Sequence, residues 1–198
     1  MDIFEAIKTT RAMRRLHPDQ PVSDSDVMTI VEAATKAPSG GNRQAVRWLV
    51  VRDDDKRRRL GEIYAACWDI YQAQPGPLNE ETPAQTRVRS SAAHLGAYMG
   101  EAPVIILPCS RSGIGESSVF PGVQNLCLAA RALGLGTTLT TIHRIKEPEV
   151  RSVLDIPEDV VTWAMIPVGY PTGRWGEAAR RPVEQVTYWD AWKQPPPA

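Results

Sequence analysis

The groups best suited to chemistry in this chain are its clustered guanidiniums. Arg11, Arg14 and Arg15 fall within "TTRAMRRLHPDQPV", and Arg180 and Arg181 precede Pro182 in "ARRPVEQ". A planar guanidinium donates paired hydrogen bonds and stays charged at any accessible pH, so arginines spaced this way suit a local anion such as a phosphate, or else a solvated face. The formal net charge is zero, so any anion site must be local, and neither nucleic acid nor an anionic membrane is favoured as a partner. His17, His94 and His143 have no evident catalytic partners and read as surface or capping residues. Cys67, Cys109 and Cys127 lie far apart in apolar runs, without C-x-x-C or zinc spacing, and read as reduced, buried thiols of a cytoplasmic protein. There is no G-x-S-x-G elbow, no H-E-x-x-H and no Walker loop; "GLGTTL" begins like a dinucleotide loop but follows a helix and lacks the last glycine. The chain need not carry its own acid, base or nucleophile if a cofactor does the chemistry.

The elements that must position these groups alternate along 198 residues, a length suited to one domain. Ile3, Phe4 and Ile7 recur at helical spacing in "DIFEAIKTTR", which places the basic run at the end of an amphipathic helix. A second helix is expected over "DVMTIVEAATKAP", capped by Ser23 or Ser25 and bounded by Pro38, before the loop "SGGNRQ". "AVRWLVVRD" reads as a strand, "DDKRRRLGEIYAACWDIY" as a helix, and the polar, proline-rich residues after it, 72–89, as a mobile lid. "RVRSSAAHLGAYMGEAP" is expected to be helical and "VIILPCS" a buried strand. The helix in "PGVQNLCLAARALGLG" is apolar on most sides and stopped by Gly134, with Gly136 a further flexible point before extended "TTLTTI". A short helix in "EPEVRSVLDIP", a strand over "VVTWAMIPVGYP" and a flexible tail from residue 193 complete an α+β pattern with a central sheet. The opening "MDIFEAIKTT" lacks a signal-peptide core and no apolar stretch approaches membrane-spanning length, so the expectation is a soluble intracellular protein.

Taken in order, "TTRAMRRL", "APSGGNRQAVRWLVV", "VQNLCLAARALGLGTTLTT", "LDIPEDVVTWAMIPVGYP" and "ARRPVEQVTYW" resemble the FMN-dependent nitroreductase family over nearly the whole chain. The resemblance implies a nitroreductase-like fold, a central and mostly antiparallel sheet flanked by helices, forming an intertwined homodimer with FMN in pockets at the interface. It implies hydride transfer from NAD(P)H through FMN to an electron-poor acceptor, such as a nitroaromatic or quinone, in two half-reactions. By the same resemblance, Arg11, Ala12 and Arg14 hold phosphate and ribityl, and Arg180 completes the phosphate site, with Arg181 able to substitute. Pro38, Ser39 and Asn42 belong to the loop that one subunit lends to its partner's flavin, which Gln44 helps to position. Leu139 packs on the ring, and the backbone of Thr140, Thr141 and Ile142 runs along its reactive edge.

This chain departs from the family pattern at two positions of the basic motif: Thr10 stands in place of a cation and Ala12 in place of a serine. Arg15, Arg87 and Arg89 are candidates to compensate. Three other readings stay open: a deazaflavin in the same pocket, a flavin-binding sensor without turnover, and a non-redox interaction module. The apolar helix 122–133 and the aromatics Tyr188, Trp189 and Trp192 are the expected dimer anchors.

Overall fold

The computed structural model describes residues 1–74 and 82–195. Helix α1 spans Ile3–Thr9 and is capped by Asp2, whose carboxylate accepts from Glu5 N–H. It stops sooner than its apolar spacing suggests. Thr10 turns its hydroxyl back onto the Ala6 carbonyl at 2.6 Å, and the basic run that follows is extended, not helical. Met13 N–H donates to Thr137 O at 2.9 Å, Ala12 pairs in parallel with Thr137, and Leu16 pairs antiparallel with Pro171. Tertiary pairing with the sheet edge thus overrides local helix propensity.

Helix α2 (Asp24–Thr35) is capped by Ser23, one of the two serines its sequence offers, and buries Val27, Ile30 and Ala34. Strand β1 (Arg47–Val51) leads into α3 (Asp54–Gln72), capped by Asp53. Helix α4 (Pro83–Tyr98) opens on a reciprocal Thr82–Gln85 capping box with proline in its first turn. Of the expected lid at 72–89, residues 75–81 lie outside the described residues, and 83–89 are the first turns of α4. Residues 196–198 of the expected tail also lie outside them.

Strand β2 (Val104–Arg111) is the centre of the sheet and is buried along its length except at Arg111. After α5 (Phe120–Ala132) come β3 (Gly136–Thr137), α6 (Glu147–Leu154), β4 (Val160–Thr162) and β5 (Ile166–Gly169). The strand order is β1-β2-β5-β3, with β4 also on β2, and every strand pair is antiparallel. The single strand expected over 160–171 is divided in two. Pro108 in β2 has no N–H to offer on that side, so the ladder opens: only Trp163 N–H reaches the Pro108 carbonyl, at 2.9 Å, between the two paired segments.

Alternation along β2 sends Val104 and Ile106 to a core shared with α2 and α5, and Ile105, Leu107 and Cys109 to a second core under α3, α4 and α6. The result is three layers. Gly134 follows α5 with φ +79°, the left-handed conformation that ends such helices. Gly136 serves close approach rather than flexibility, since a Cβ there would stand 2.8 Å from Met13 Cβ. It lets the basic segment lie directly against β3.

Candidate functional site

Two adjoining hollows form one trough. The first, about 490 Å³, is lined by Arg11, Ala12, Arg14 and Arg15 on one side, by Arg87 and Ser91 of α4, and by Gly173, Glu177, Ala178 and Ala179. The second, about 670 Å³, is walled by Tyr64 and Trp68 of α3, by Val88 and Leu95 of α4, and by Thr138, Leu139, Thr140 and Ile142. Arg14, Ala84 and Val88 border both. One end is therefore basic and the other largely apolar and aromatic.

The extended backbone at 11–16 explains how so many guanidiniums reach one groove. Met13 points into the core while its neighbours face outward. Arg11 donates to the Arg174 carbonyl, and Arg15 Nη1 lies 3.0 Å from His94 Nδ1. Burial, and then the charge of Arg15, lowers the His94 pKa. His94 stacks on Tyr98 with centroids 4.4 Å apart, so it is a ring held in place beside the trough. Arg14, half-buried, makes no hydrogen bond or ion pair with another described residue.

In the apolar hollow Leu139 is 44 % exposed, although it follows two buried threonines. Tyr64 is almost wholly buried, and its hydroxyl lies 2.9 Å from Thr140 Oγ1, tying α3 to the 138–142 segment. Burial raises the Tyr64 pKa, with Thr140 and the charge of Arg14 pulling the other way, so the phenol is neutral. Tyr64 and Trp68 belong to no motif of the sequence. Their signal lies in the spacing of Leu60, Tyr64, Trp68 and Tyr71 along one face of α3.

Thr141 lies in the same segment but lines neither hollow; it precedes the 3-10 turn Ile142–Lys146, where its carbonyl accepts from Arg144 N–H at 3.1 Å. Arg180 is exposed and donates to the Ala179 carbonyl at 3.0 Å; its neighbours Ala178 and Ala179 line the basic groove, but Arg180 does not.

Pro38, Ser39 and Asn42 are not brought to the trough of their own chain. Ser39 borders a separate hollow with Gly113, Gly115 and Ser118. The loop is firmly built there: Ser39 Oγ accepts from Gln44 N–H at 3.1 Å, Asn42 Oδ1 accepts from Gln44 Nε2 at 3.2 Å, and Ser118 Oγ accepts from Gly40 N–H at 3.0 Å. Asn42 and Gln44 are held at φ 52° and 46°, a left-handed conformation that is costly for side chains other than glycine and that clusters at functional loops.

His143 overturns its expected place at the surface. It is fully buried, with Nε2 3.2 Å from Thr162 O and 3.1 Å from Thr162 Oγ1. These acceptors fix the proton on Nε2 and leave Nδ1 without a partner among the described residues. Burial pushes its pKa down to about 4. All three cysteines are free and buried, as their apolar setting suggests, and no described helix is long and apolar enough to cross a membrane.

Comparison with known proteins bears on the family and the fold. A nitrobenzene nitroreductase of Ectopseudomonas oleovorans is 29% identical over 200 residues, covering 85% of this chain and 86% of its own. A protein from Desulfovibrio desulfuricans solved in complex with FMN superposes with a TM-score of 0.71 at 29% identity, over 97% of this chain and 98% of that one. An iodotyrosine deiodinase solved with FMN and 3-iodo-L-tyrosine superposes with a TM-score of 0.79 over 96% of this chain and 100% of that one; at 22% identity it speaks for the fold alone. The model of the nitroreductase family matches residues 7–170, taking in the basic segment, the 38–44 loop and the 138–142 segment and stopping short of Arg180. The 11–15 segment, helices α3 and α4, the 138–142 segment and the detached loop thus fall within one continuous match, and the chain belongs to the nitroreductase family.

Proposed function

We propose that this chain is a flavin-dependent oxidoreductase that binds FMN along the trough, takes hydride from NAD(P)H and reduces an electron-poor acceptor, a nitroaromatic or quinone, in a ping-pong cycle. The observation that carries the reading is Arg14, a guanidinium with no hydrogen-bond or ion-pair partner among the described residues, standing where a basic groove meets an apolar cleft with Leu139 exposed in it. A ligand with a dianionic end and a flat aromatic end matches that pairing. Bound FMN supplies the electron-carrying chemistry, and the chain supplies binding, orientation and a partly water-excluding wall. Arg11 and Arg14 hold phosphate and ribityl. Leu139 packs on the ring, and the Thr140–Ile142 backbone is assigned to its polar edge, with Tyr64 fixing Thr140 in place. Gln72, Gln74, Gln85 and Arg89 border the apolar hollow, which supports giving segment 72–89 the choice of acceptor.

The working unit in this reading is a homodimer in which Pro38, Ser39 and Asn42 of one copy complete the trough of the other. Their separation from the trough within one chain supports it, as does the apolar face of α1, where Ile3, Phe4 and Ile7 are each more than half exposed. Trp192, 82 % exposed, is a further anchor. Helix α5 supports it less than its composition suggests, because Val123, Leu126 and Ala130 are buried within the chain, chiefly against α2. A cytoplasmic location fits the free cysteines.

The purified protein is expected to be yellow with a flavin spectrum, and to be bleached anaerobically by NADH or NADPH. A bound flavin that neither donor reduces would leave the sensor reading and sink the enzymatic one. With Thr10 and Ala12 at two positions of the basic motif, the alternative cofactor to test for is a deazaflavin, which the absorption spectrum of the released ligand separates from FMN.

A further inference from the structure

The phosphate end of the trough is short of donors. This chain has Thr10 and Ala12 at two positions of the basic motif, and Thr10 is withdrawn altogether, since its hydroxyl closes the last turn of α1 on Ala6 O at 2.6 Å. Arg11 is engaged with the Arg174 carbonyl and Arg15 with His94. A phosphate monoester carries close to two negative charges at neutral pH and presents three strong acceptor oxygens. Arg14 and two guanidiniums already engaged leave part of that demand unmet.

Helix α4 offers what is missing. Ala84, Arg87, Val88 and Ser91 stand at i, i+3, i+4 and i+7, one face of the helix, and all of them line the basic groove together with Arg11 and Arg14. Arg87 is exposed, and its guanidinium makes no hydrogen bond, ion pair or ring contact with another described residue. Among the guanidiniums that line this groove, only Arg14 shares that condition. Arg89 differs on both counts: it lines the neighbouring apolar hollow and already interacts within the chain. Four arginines line the groove on the 11–15 segment and α4 against the single carboxylate of Glu177, so the local field favours a dianion.

We propose that Arg87 is a phosphate-binding residue, reaching from α4 to the phosphate monoester that Arg11 and Arg14 hold, and supplying the donors that Thr10 and Ala12 do not. This rests on the FMN reading above. It makes the helix that borders the acceptor hollow a ligand of the cofactor as well. The 2′-phosphate of NADPH has the same chemistry, and the experiment separates the two sources.

The test titrates the full chain, freed of flavin, with FMN and with riboflavin, following flavin fluorescence, for the parent, Arg87→Gln, Arg87→Lys and the exposed α3 control Arg59→Gln. Arg87→Gln is expected to raise the FMN Kd about tenfold, leave the riboflavin Kd unchanged, and be partly rescued in Arg87→Lys. The control should shift neither. Equal FMN affinity in parent and Arg87→Gln overturns the proposal, as does equal weakening of FMN and riboflavin, which marks a structural role. A raised KM for NADPH alone, with KM for NADH and the FMN Kd unchanged, moves Arg87 to the donor's phosphate and overturns the flavin assignment. A parent that binds neither flavin defeats the FMN reading itself, and the proposal with it.

Discussion

The chain from Thr138 to Arg151 passes through two polar settings of opposite character. Thr140 and Ile142 face the open trough, and the next residue, His143, lies in a network whose charges are all answered inside the protein. His143 Nε2 meets Thr162; Thr162 N–H and Oγ1 donate to Glu147 Oε1 at 2.6 and 2.8 Å; Glu147 Oε2 pairs with Arg151 Nη2 at 3.2 Å; and Arg151 Nε donates to Val160 O at 2.9 Å. This network joins α6 to β4. In the trough, by contrast, the Arg14 and Arg87 guanidiniums have no hydrogen-bond or ion-pair partner among the described residues. Charges answered from within hold the architecture. Charges left unanswered are available to a ligand, and burial and partner geometry separate the two classes where residue type does not.

If that division is right, perturbing the network should change stability and perturbing the trough should change flavin binding, with little crossover. Acid provides the largest effect. His143 titrates near 4 in the folded protein against about 6.5 when unfolded, so below about pH 6.5 the unfolded chain takes up a proton that the native state refuses. Stability therefore falls as pH drops from about 6.5 to about 4, by about 3 kcal/mol in all. For Glu147, burial alone would raise the pKa, but the Thr162 hydrogen bonds and the charges of Arg151 and Arg144 together hold it below the ordinary range. That contribution is lost at still lower pH, as the folded carboxylate protonates. Urea midpoints across this range check the slope, which His143→Gln should flatten between pH 6.5 and 4; an unchanged slope in the variant would break the comparison at its buried end.

The next effect reads the open end. Arg14→Ala should weaken FMN by about 2 kcal/mol, roughly thirtyfold, while the unfolding free energy of the flavin-free chain, read from urea titration, stays within about 0.5 kcal/mol of the parent. Stability loss without loss of flavin affinity would assign Arg14 to the architecture instead. The smallest effect sharpens the comparison across copies. Asn42→Ala should weaken FMN by about 1 kcal/mol, and co-expression with Arg14→Ala chains should return parental affinity to one site of each mixed dimer, because the other site carries both changes. Weakened binding at every site of the mixed population would place Asn42 and Arg14 in the same chain's pocket.

Much of this was legible in the residues. The cap at Ser23, the strand "VIILPCS", the stop at Gly134 and the three buried thiols each follow from local chemistry. The family pattern pointed to Arg11, Arg14 and Leu139, and the fold brings them to one trough. What escaped was decided by contacts distant in the chain. The extended course of Arg11–Leu16 depends on Thr137 and Pro171, the burial of His143 depends on Thr162, and the division of the 160–171 strand depends on a missing donor at Pro108. Arg87 could be named as one of three compensating arginines, yet only the facing of α4 and the interaction Arg89 already makes distinguish the two.

Gly136 has a place in how this site tolerates change. It touches no candidate ligand-binding guanidinium, but Met13, Leu16 and Pro171 crowd the space a side chain would need, with atoms 2.8, 3.1 and 3.3 Å from an added Cβ. Any substitution must lever the segment carrying Arg11, Arg14 and Arg15 away from β3. In a mutational scan scored for flavin retention, position 136 would therefore rank with the arginines themselves, and a map of tolerance would draw the boundary of the active site one layer deeper than a map of contacts.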